Sequence, residues 1–264
     1  MGRIDDTFQR LRSEGEAALV PYVMSGYPSV DTTKELLYAI VSAGADLVEV
    51  GVPFSDPLAD GATLQRASHR ALGQGMTLRR TLELVASVRQ HLVVPLLLMS
   101  YTNPLLSIGF ERVVREAASA GIDGFIVPDL PVEEASDLED ACGDAGLALV
   151  GMVAPTSPDG RVVEIAHHSR GFIYCVSLKG VTGARSGLPE GLDSLVGRVK
   201  KATPLPVVVG FGISSRYQVE HVSALADGVV VGSALLDRID SSPHPADAAA
   251  SFISELKSGC KRIG

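Results

Sequence analysis

Residues 47–53 read Leu47-Val48-Glu49-Val50-Gly51-Val52-Pro53, a short run rich in β-branched residues that ends at a proline. A run of this length and composition predicts a strand rather than a helix. The pattern recurs along the chain, and the eight predicted strands are Ala18–Met24, Leu47–Val52, Pro95–Tyr101, Gly124–Pro128, Leu147–Ala154, Phe172–Ser177, Pro206–Gly210 and Gly228–Val231.

Segments with helical periodicity separate these strands. Thr32–Ala43 and Glu111–Ala120 each place four apolar residues on one face, and several such segments end at glycine, which suits a left-handed cap. Strands that alternate with helices pair in parallel, and nearly all-apolar strands are typical of a sheet covered on both faces. We therefore expect an α/β fold, a closed (β/α)8 TIM barrel that forms a single domain over residues 1–264. An open doubly wound sheet is the alternative.

Composition narrows the class of protein. The 264 residues are 46% hydrophobic, enough for one large core, and 23 Lys+Arg against 31 Asp+Glu give a net charge of −8. This balance argues against general nucleic-acid binding, although one local anion site can still hold a small phosphorylated substrate. Three widely spaced cysteines and an acidic start without a basic or apolar leader predict a cytoplasmic protein, with a plastid protein after transit-peptide removal as the alternative.

Glu49 is a charged residue in a strand that is otherwise apolar. Because side chains alternate across a strand, Val48, Val50 and Val52 should face the helices, while Leu47 and Glu49 face the barrel interior. Enzymes of this architecture place their chemistry at the carboxyl ends of the strands. Burial should raise the pKa of Glu49, which suits a general acid/base. The alternative is a structural carboxylate paired with an Arg or Lys.

The loop after this strand offers further carboxylates. It reads Pro53-Phe54-Ser55-Asp56-Pro57-Leu58-Ala59-Asp60-Gly61. Asp60 is a candidate second functional carboxylate, and the competing interpretation is that Asp56 and Asp60 only cap the turn or the next helix.

Three glycine-rich segments follow the last predicted strands. They are Leu178–Gly187, Gly210–Ser215 and Gly232–Ala234. The late strands of such barrels hold phosphate with backbone N–H groups and a helix N-terminus, and Ser233 is placed to cap that helix and to donate its hydroxyl. Together the segments predict a phosphate-binding site at the ends of the last strands.

The chain resembles the tryptophan synthase α-subunit family along nearly its whole length. The segments that carry the resemblance are Glu49–Gly61, Val127–Glu134, Gly180–Gly183, Gly210–Ser214 and Val231–Ala234. The first is highly specific, whereas the last two also occur in other phosphate-binding barrels. The resemblance implies a lyase of tryptophan biosynthesis that cleaves indole-3-glycerol phosphate to indole and glyceraldehyde 3-phosphate by a retro-aldol reaction.

The resemblance also implies roles for individual residues. Glu49 matches the general acid/base, and Asp60 matches the carboxylate that accepts the indole N–H bond. The positions that match substrate-binding residues are Tyr22 and Met99 around the indole, Tyr174 near the acid/base, Thr182 on the loop that closes over substrate, and Gly183, Phe211, Gly212, Gly232 and Ser233 at the phosphate.

Partners and cofactors follow from the same resemblance. The family forms an α2β2 complex in which the β subunit carries pyridoxal phosphate and receives indole through a tunnel, so no cofactor and no metal are expected in this chain. Two departures are Ala62 after Asp60-Gly61, where proline is usual, and Met24-Ser25-Gly26 in place of Thr-Ala-Gly. Neither removes a catalytic group. The alternatives are a free-standing indole-releasing lyase, another phosphate-binding barrel isomerase, and a barrel that only activates a β-type partner.

Overall fold

The computed structural model describes residues 2–176, 191–210 and 212–262. In this part of the chain the strands are β1 (Ala18–Met24), β2 (Val48–Gly51), β3 (Leu96–Met99), β4 (Gly124–Ile126), β5 (Ala148–Val153), β6 (Ile173–Val176), β7 (Val207–Gly210) and β8 (Gly228–Val231). The helices are α1 (Arg3–Glu14), α2 (Val30–Ser42), α3 (Ala62–Gly73), α4 (Leu78–Arg89), α5 (Thr102–Leu106), α6 (Phe110–Ala120), α7 (Ser136–Ala145), α8 (Asp159–His168), α9 (Leu192–Ala202), α10 (Arg216–Leu225), α11 (Ser233–Asp240) and α12 (Pro245–Lys257).

The strands form a closed parallel barrel. Each strand pairs with the next along the chain, and β1 also pairs with β8, with Ala18 opposite Gly228. This last pairing distinguishes a barrel from an open doubly wound sheet, and it leaves the sheet without an edge. The predicted (β/α)8 fold is therefore confirmed.

Side chains alternate across the strands as the sequence predicts. Val48 and Val50 pack in the core between the sheet and the helices, whereas Leu47 and Leu97 pack inside the barrel. Strands β1 and β8 have the predicted bounds, and the other six strands are one to three residues shorter than predicted.

The helices follow the predicted periodicity. In α6 the residues Val113, Val114 and Ala117 are buried against the sheet, and the chain leaves the helix at Gly121 with φ +90°. That left-handed conformation is open to glycine at little cost, which explains the Ala-Gly helix ends noted in the sequence.

Helix α1 closes the end of the barrel where the strands begin. Its residues Ile4, Phe8 and Leu11 are buried and belong to the same cluster as the interior strand residues. The Phe8 ring lies 5.7 Å from the ring of Phe172, which directly precedes β6. This end of the barrel is packed core.

Three aspartates reinforce the same end. Asp46, Asp123 and Asp227 stand close before β2, β4 and β8, and each accepts a hydrogen bond from a backbone N–H at the start of the preceding strand. The donors and distances are Leu19 at 2.9 Å, Leu96 at 2.8 Å and Val207 at 3.0 Å. These bonds connect neighbouring strands, so the three carboxylates at this end of the barrel have a structural role.

Among the described residues, no helix has both the length and the apolar character needed to cross a bilayer. With one end of the barrel filled by α1, the functional side chains are to be sought at the carboxyl ends of the strands.

Candidate active site

Glu49 lies inside the barrel on β2. It is paired with Tyr22 of β1 and Leu97 of β3, and only 1% of its surface is exposed. Its Oε1 atom has no hydrogen-bond partner, and no ion pair among the described residues includes it. Burial raises the pKa of Glu49 to about 8. The alternative of a structural carboxylate paired with a base is therefore wrong within the described residues.

Two buried tyrosines flank this carboxyl group. Tyr22 and Tyr174 are 4% and 7% exposed, and burial together with the nearby negative charges of Glu49 and Asp60 raises the pKa of both phenols. Both hydroxyls occupy space that a side chain at a neighbouring strand would need. A Cβ at Gly51 would come within 2.0 Å of the Tyr22 hydroxyl, and one at Gly210 within 2.4 Å of the Tyr174 hydroxyl. The two glycines thus make room for the tyrosines.

Asp60 lies in the loop between β2 and α3, directly before Gly61, the N-cap of α3. The Gly61 cap has no side chain to satisfy the first N–H groups of the helix, and a helix N-terminus favours a nearby negative charge. Partial burial nevertheless raises the pKa of Asp60 to about 6, while the nearby Tyr101 hydroxyl opposes that rise. The charge of Asp60 contributes to the raised pKa of both Tyr22 and Tyr174, so Asp60 lies near these two phenols.

Met99, the last residue of β3, is paired with Gly51 and Ile126 and is half-buried at the interior end of its strand. Its position beside β2 agrees with a pocket-lining role. Asp56, by contrast, is exposed, and its contacts are local: its carboxylate accepts from the Ser55 hydroxyl at 2.5 Å and its carbonyl accepts from the Leu58 N–H at 2.9 Å.

Glycine backbone marks the ends of β7 and β8. Gly212 is exposed with φ +30°, and Gly232 is the N-cap of α11. A Cβ at Gly232 would lie 3.7 Å from Cβ of Tyr22, which places the start of α11 next to the tyrosine beside Glu49. The open N–H groups at this helix N-terminus suit an anion.

The expectation that Ser233 caps α11 is wrong. Gly232 is the N-cap, and Ser233 is the first helical residue, exposed and without a capping hydrogen bond. Its backbone N–H and hydroxyl remain available at the helix start. Thr182, Gly183 and Phe211, which were also predicted to bind substrate, lie outside the described residues.

Residues that sequence reasoning did not single out support the Asp60 loop. Tyr101 stacks on Phe54 with ring centroids 5.3 Å apart, and its hydroxyl accepts a hydrogen bond from the Ala59 N–H at 3.0 Å. Ser68 of α3 bonds both to the N–H and to the C=O of Phe54. Only the placement of Tyr101 at a strand end hinted at its role.

Among the described residues, no group of three or more His, Cys, Asp or Glu side chains is arranged to hold a metal ion. The assembled groups are instead two carboxyls of different burial, two buried phenols and a helix N-terminus. This arrangement suits proton transfer on a small apolar substrate that bears an anionic group.

Comparison with known proteins places these features in context. The family model for the tryptophan synthase alpha chain matches residues 8–262. The chain is 49% identical to the tryptophan synthase alpha chain of Chloroflexus aggregans over 266 residues, covering 100% of both proteins. It is 51% identical to that of Roseiflexus castenholzii over 261 residues, covering 97% of this chain and 100% of the relative.

Solved structures agree with the sequence comparison. The tryptophan synthase subunit alpha from Legionella pneumophila superposes with a TM-score of 0.92 at 33% identity, covering 100% of both chains. A chain of Mycobacterium tuberculosis tryptophan synthase superposes with a TM-score of 0.92 at 38% identity, covering 100% of this chain and 99% of the other.

Proposed function

We propose, since this chain belongs to the tryptophan synthase alpha chain family, that Glu49 and Asp60 carry out the family's reaction in it. That reaction is the lyase cleavage of indole-3-glycerol phosphate to indole and glyceraldehyde 3-phosphate, a step of tryptophan biosynthesis. The observation that supports the proposal is a buried carboxyl, Glu49, with an unpartnered oxygen and no basic partner among the described residues.

Glu49 is the general acid and then the general base. With a pKa of about 8 it carries a proton at neutral pH and delivers it to the indole carbon at the scissile bond. The resulting carboxylate removes the proton from the adjacent glycerol hydroxyl. As the hydroxyl becomes an aldehyde, the carbon–carbon bond breaks and its electron pair returns to the indole ring.

Asp60 stabilises the positive charge that protonation creates. Its carboxylate accepts the indole N–H bond, and an anion at that point lowers the energy of the cationic ring. With a pKa of about 6, Asp60 is ionised at neutral pH, when Glu49 is still protonated. Activity should therefore fall below about pH 6 as Asp60 gains a proton, and above about pH 8 as Glu49 loses one.

The remaining groups bind substrate. Tyr22 and Met99 line the indole, and Tyr174 lies near the acid/base Glu49. Gly212 after β7 and Gly232 and Ser233 at the start of α11 hold the phosphate with backbone N–H groups, together with Gly183 and Phe211. Thr182 belongs to the loop that closes over substrate and excludes water. One domain over residues 1–264 supplies all of these groups.

The family works with a partner. Tryptophan synthase alpha chains form complexes with a β subunit, which contains the pyridoxal phosphate, and the α chain carries no cofactor. We propose an α2β2 complex in the cytoplasm that passes indole to the β subunit through an internal tunnel. Indole release that rises on addition of the β subunit supports this assembly, whereas fast release that ignores it indicates a free-standing lyase.

The carboxylate roles are tested with Glu49→Gln and Asp60→Asn. Indole formation should fall at least ~10²-fold for each, because a general acid/base and an electrostatic stabiliser each contribute that much. Glu111→Gln, a change at an exposed glutamate of α6, is the matched control and should retain full activity. Near-normal cleavage by the Glu49 variant would overturn the mechanism.

A further inference from the structure

Tyr101 lies between β3 and the Asp60 loop. It is the N-cap of α5, and only 5% of its surface is exposed. Its ring stacks on that of Phe54 at an interplanar angle of 28°. A residue that follows β3 thus contacts the segment that follows β2.

The Tyr101 hydroxyl lies beside two adjacent residues of the loop. It accepts a hydrogen bond from the Ala59 N–H at 3.0 Å, and its proximity lowers the pKa of the carboxyl group of the next residue, Asp60. A phenol has a single proton to donate. Because the Ala59 N–H already donates to the phenolic oxygen, the phenol can act toward Asp60 only as a donor.

Phe54, the residue on which Tyr101 stacks, is held in place by α3. The Phe54 N–H donates to Ser68 Oγ at 2.9 Å, and Ser68 Oγ donates to the Phe54 carbonyl at 2.8 Å. Ser68 is 1% exposed on α3. The far side of the loop is held in the same way, since Gln65 Nε2 donates to the Asp60 carbonyl at 2.9 Å. The backbone around Asp60 is thus tied both to α3 and to Tyr101.

We propose that Tyr101 is a positioning residue that holds Asp60 as an anion facing the substrate. This inference rests on the role proposed above for Asp60. A hydrogen bond donated by the phenol is stronger to the ionised carboxylate than to the neutral acid. It therefore offsets part of the effect of burial, which favours the neutral acid. The other titratable groups that act on this pair are Glu49, Tyr22 and Tyr174 inside the barrel, and Asp129 beside Tyr101.

The test is the pH dependence of kcat/KM in Tyr101→Phe. The acidic limb of this profile is the range in which activity falls as Asp60 gains a proton. Loss of the hydroxyl should move this limb to higher pH by about one unit, because the ionised acid loses a hydrogen bond. Activity should then fall about tenfold at pH 5.5 and less than twofold at pH 8. Tyr217→Phe removes the same atom from an exposed tyrosine of α10 and should leave the profile unchanged.

A double-mutant comparison separates this inference from the role of Asp60. If Tyr101 acts through Asp60, Tyr101→Phe should cost nothing further in an Asp60→Asn chain. Full activity of Asp60→Asn would refute the proposed role of Asp60 itself. An inactive Asp60→Asn together with an unshifted acidic limb in Tyr101→Phe would overturn only the positioning role.

If Tyr101→Phe does not fold, a second variant tests the same proposal. Replacement of Tyr101 by 3-fluorotyrosine keeps the ring and the hydroxyl but makes the hydroxyl a stronger donor. The acidic limb should then move to lower pH. A residue with a purely structural role would leave the limb in place, and that result would also overturn the proposal.

Discussion

Two carboxyl groups at the candidate site differ in their surroundings, and this difference is the basis of the roles proposed for them. Glu49 is wholly inside the barrel with an unpartnered oxygen, whereas Asp60 is half-buried at the start of α3 beside a phenol. Burial raises both pKa values, to about 8 and about 6. Since environments that push two pKa values apart separate an acid from an anion, this difference supports the roles proposed above, with Glu49 as the proton donor and Asp60 as the charged partner.

The raised pKa of Glu49 also predicts how stability depends on pH. Between the ordinary value of 4.5 and about 8 the folded chain binds a proton that the unfolded chain has released, so the free energy of unfolding falls as pH rises. Glu49→Gln removes this dependence and should be more stable than the parent at pH 8.5, by a difference on the order of 4 kcal/mol, but not at pH 4. Urea unfolding at both pH values measures the difference, with Glu111→Gln as the control; parallel pH dependences in all three chains would contradict it.

The alternation of side chains in one strand was enough to predict Glu49 as an interior carboxyl. Tyr101 was not predictable in the same way, because its partners Phe54 and Ala59 follow a different strand. A contact between two loops depends on which strands are neighbours, and sequence periodicity within one strand holds no information about that.

At the scale of elements, three aspartates join strand to strand at the end of the barrel opposite the site. The carboxylate of Asp46 accepts three hydrogen bonds, one more than that of Asp123 or Asp227. The donors to Asp46 are the Leu19 N–H at 2.9 Å, Lys257 at 2.7 Å and Arg10 at 3.0 Å. One side chain therefore joins β1, the segment before β2, α12 and α1.

Asp46→Ala should be severely destabilising. The substitution leaves the Leu19 N–H and the partly buried Lys257 without this acceptor, and breaking such a pair costs about 3–5 kcal/mol. Asp237→Ala, which removes an exposed pair with Arg66 at 3.5 Å, should cost less than about 1 kcal/mol. Chemical denaturation of both variants checks the contrast. Equal losses would show that Asp46 acts as an ordinary surface charge.

The elements themselves were largely predictable, and these aspartates were not singled out. Glycine at helix ends and β-branched runs are local signals, and both were confirmed. Asp46 and Asp123 each follow Ala-Gly-X before a strand, a repeat visible in the sequence. Its meaning appears only when the preceding strand is seen to donate the N–H group.

At the scale of the whole molecule, the two ends of the barrel differ: one is packed core and the other contains the candidate site. Helix α1 fills one end with Phe8 packed on Phe172, while the carboxyl groups and phenols of the site lie toward the other. The sequence left open a closed barrel or an open sheet. That choice depends on the pairing of β1 with β8, which are the first and last strands along the sequence.

Phe8→Ala should therefore lower stability without changing the chemistry. Truncation of a buried phenylalanine costs about 3–5 kcal/mol. At a temperature where the variant remains folded, kcat and KM for indole-3-glycerol phosphate should match those of the parent. Val163→Ala, at a residue of α8 that is 55% exposed, is the control for truncation alone. A large change in kcat for folded Phe8→Ala would show that the two ends are coupled.

A ribosome releases β1 long before β8, although the two strands pair in the finished barrel. Until residues 228–231 emerge, the unpaired N–H and C=O groups of β1 and β7 form two free edges, which pair readily with other chains. Lys257, which bridges Glu16 at 3.1 Å and Asp46 at 2.7 Å, arrives later still. The nascent chain thus presents two open sheet edges until its final strand is made, and the addition of β8 closes both at once.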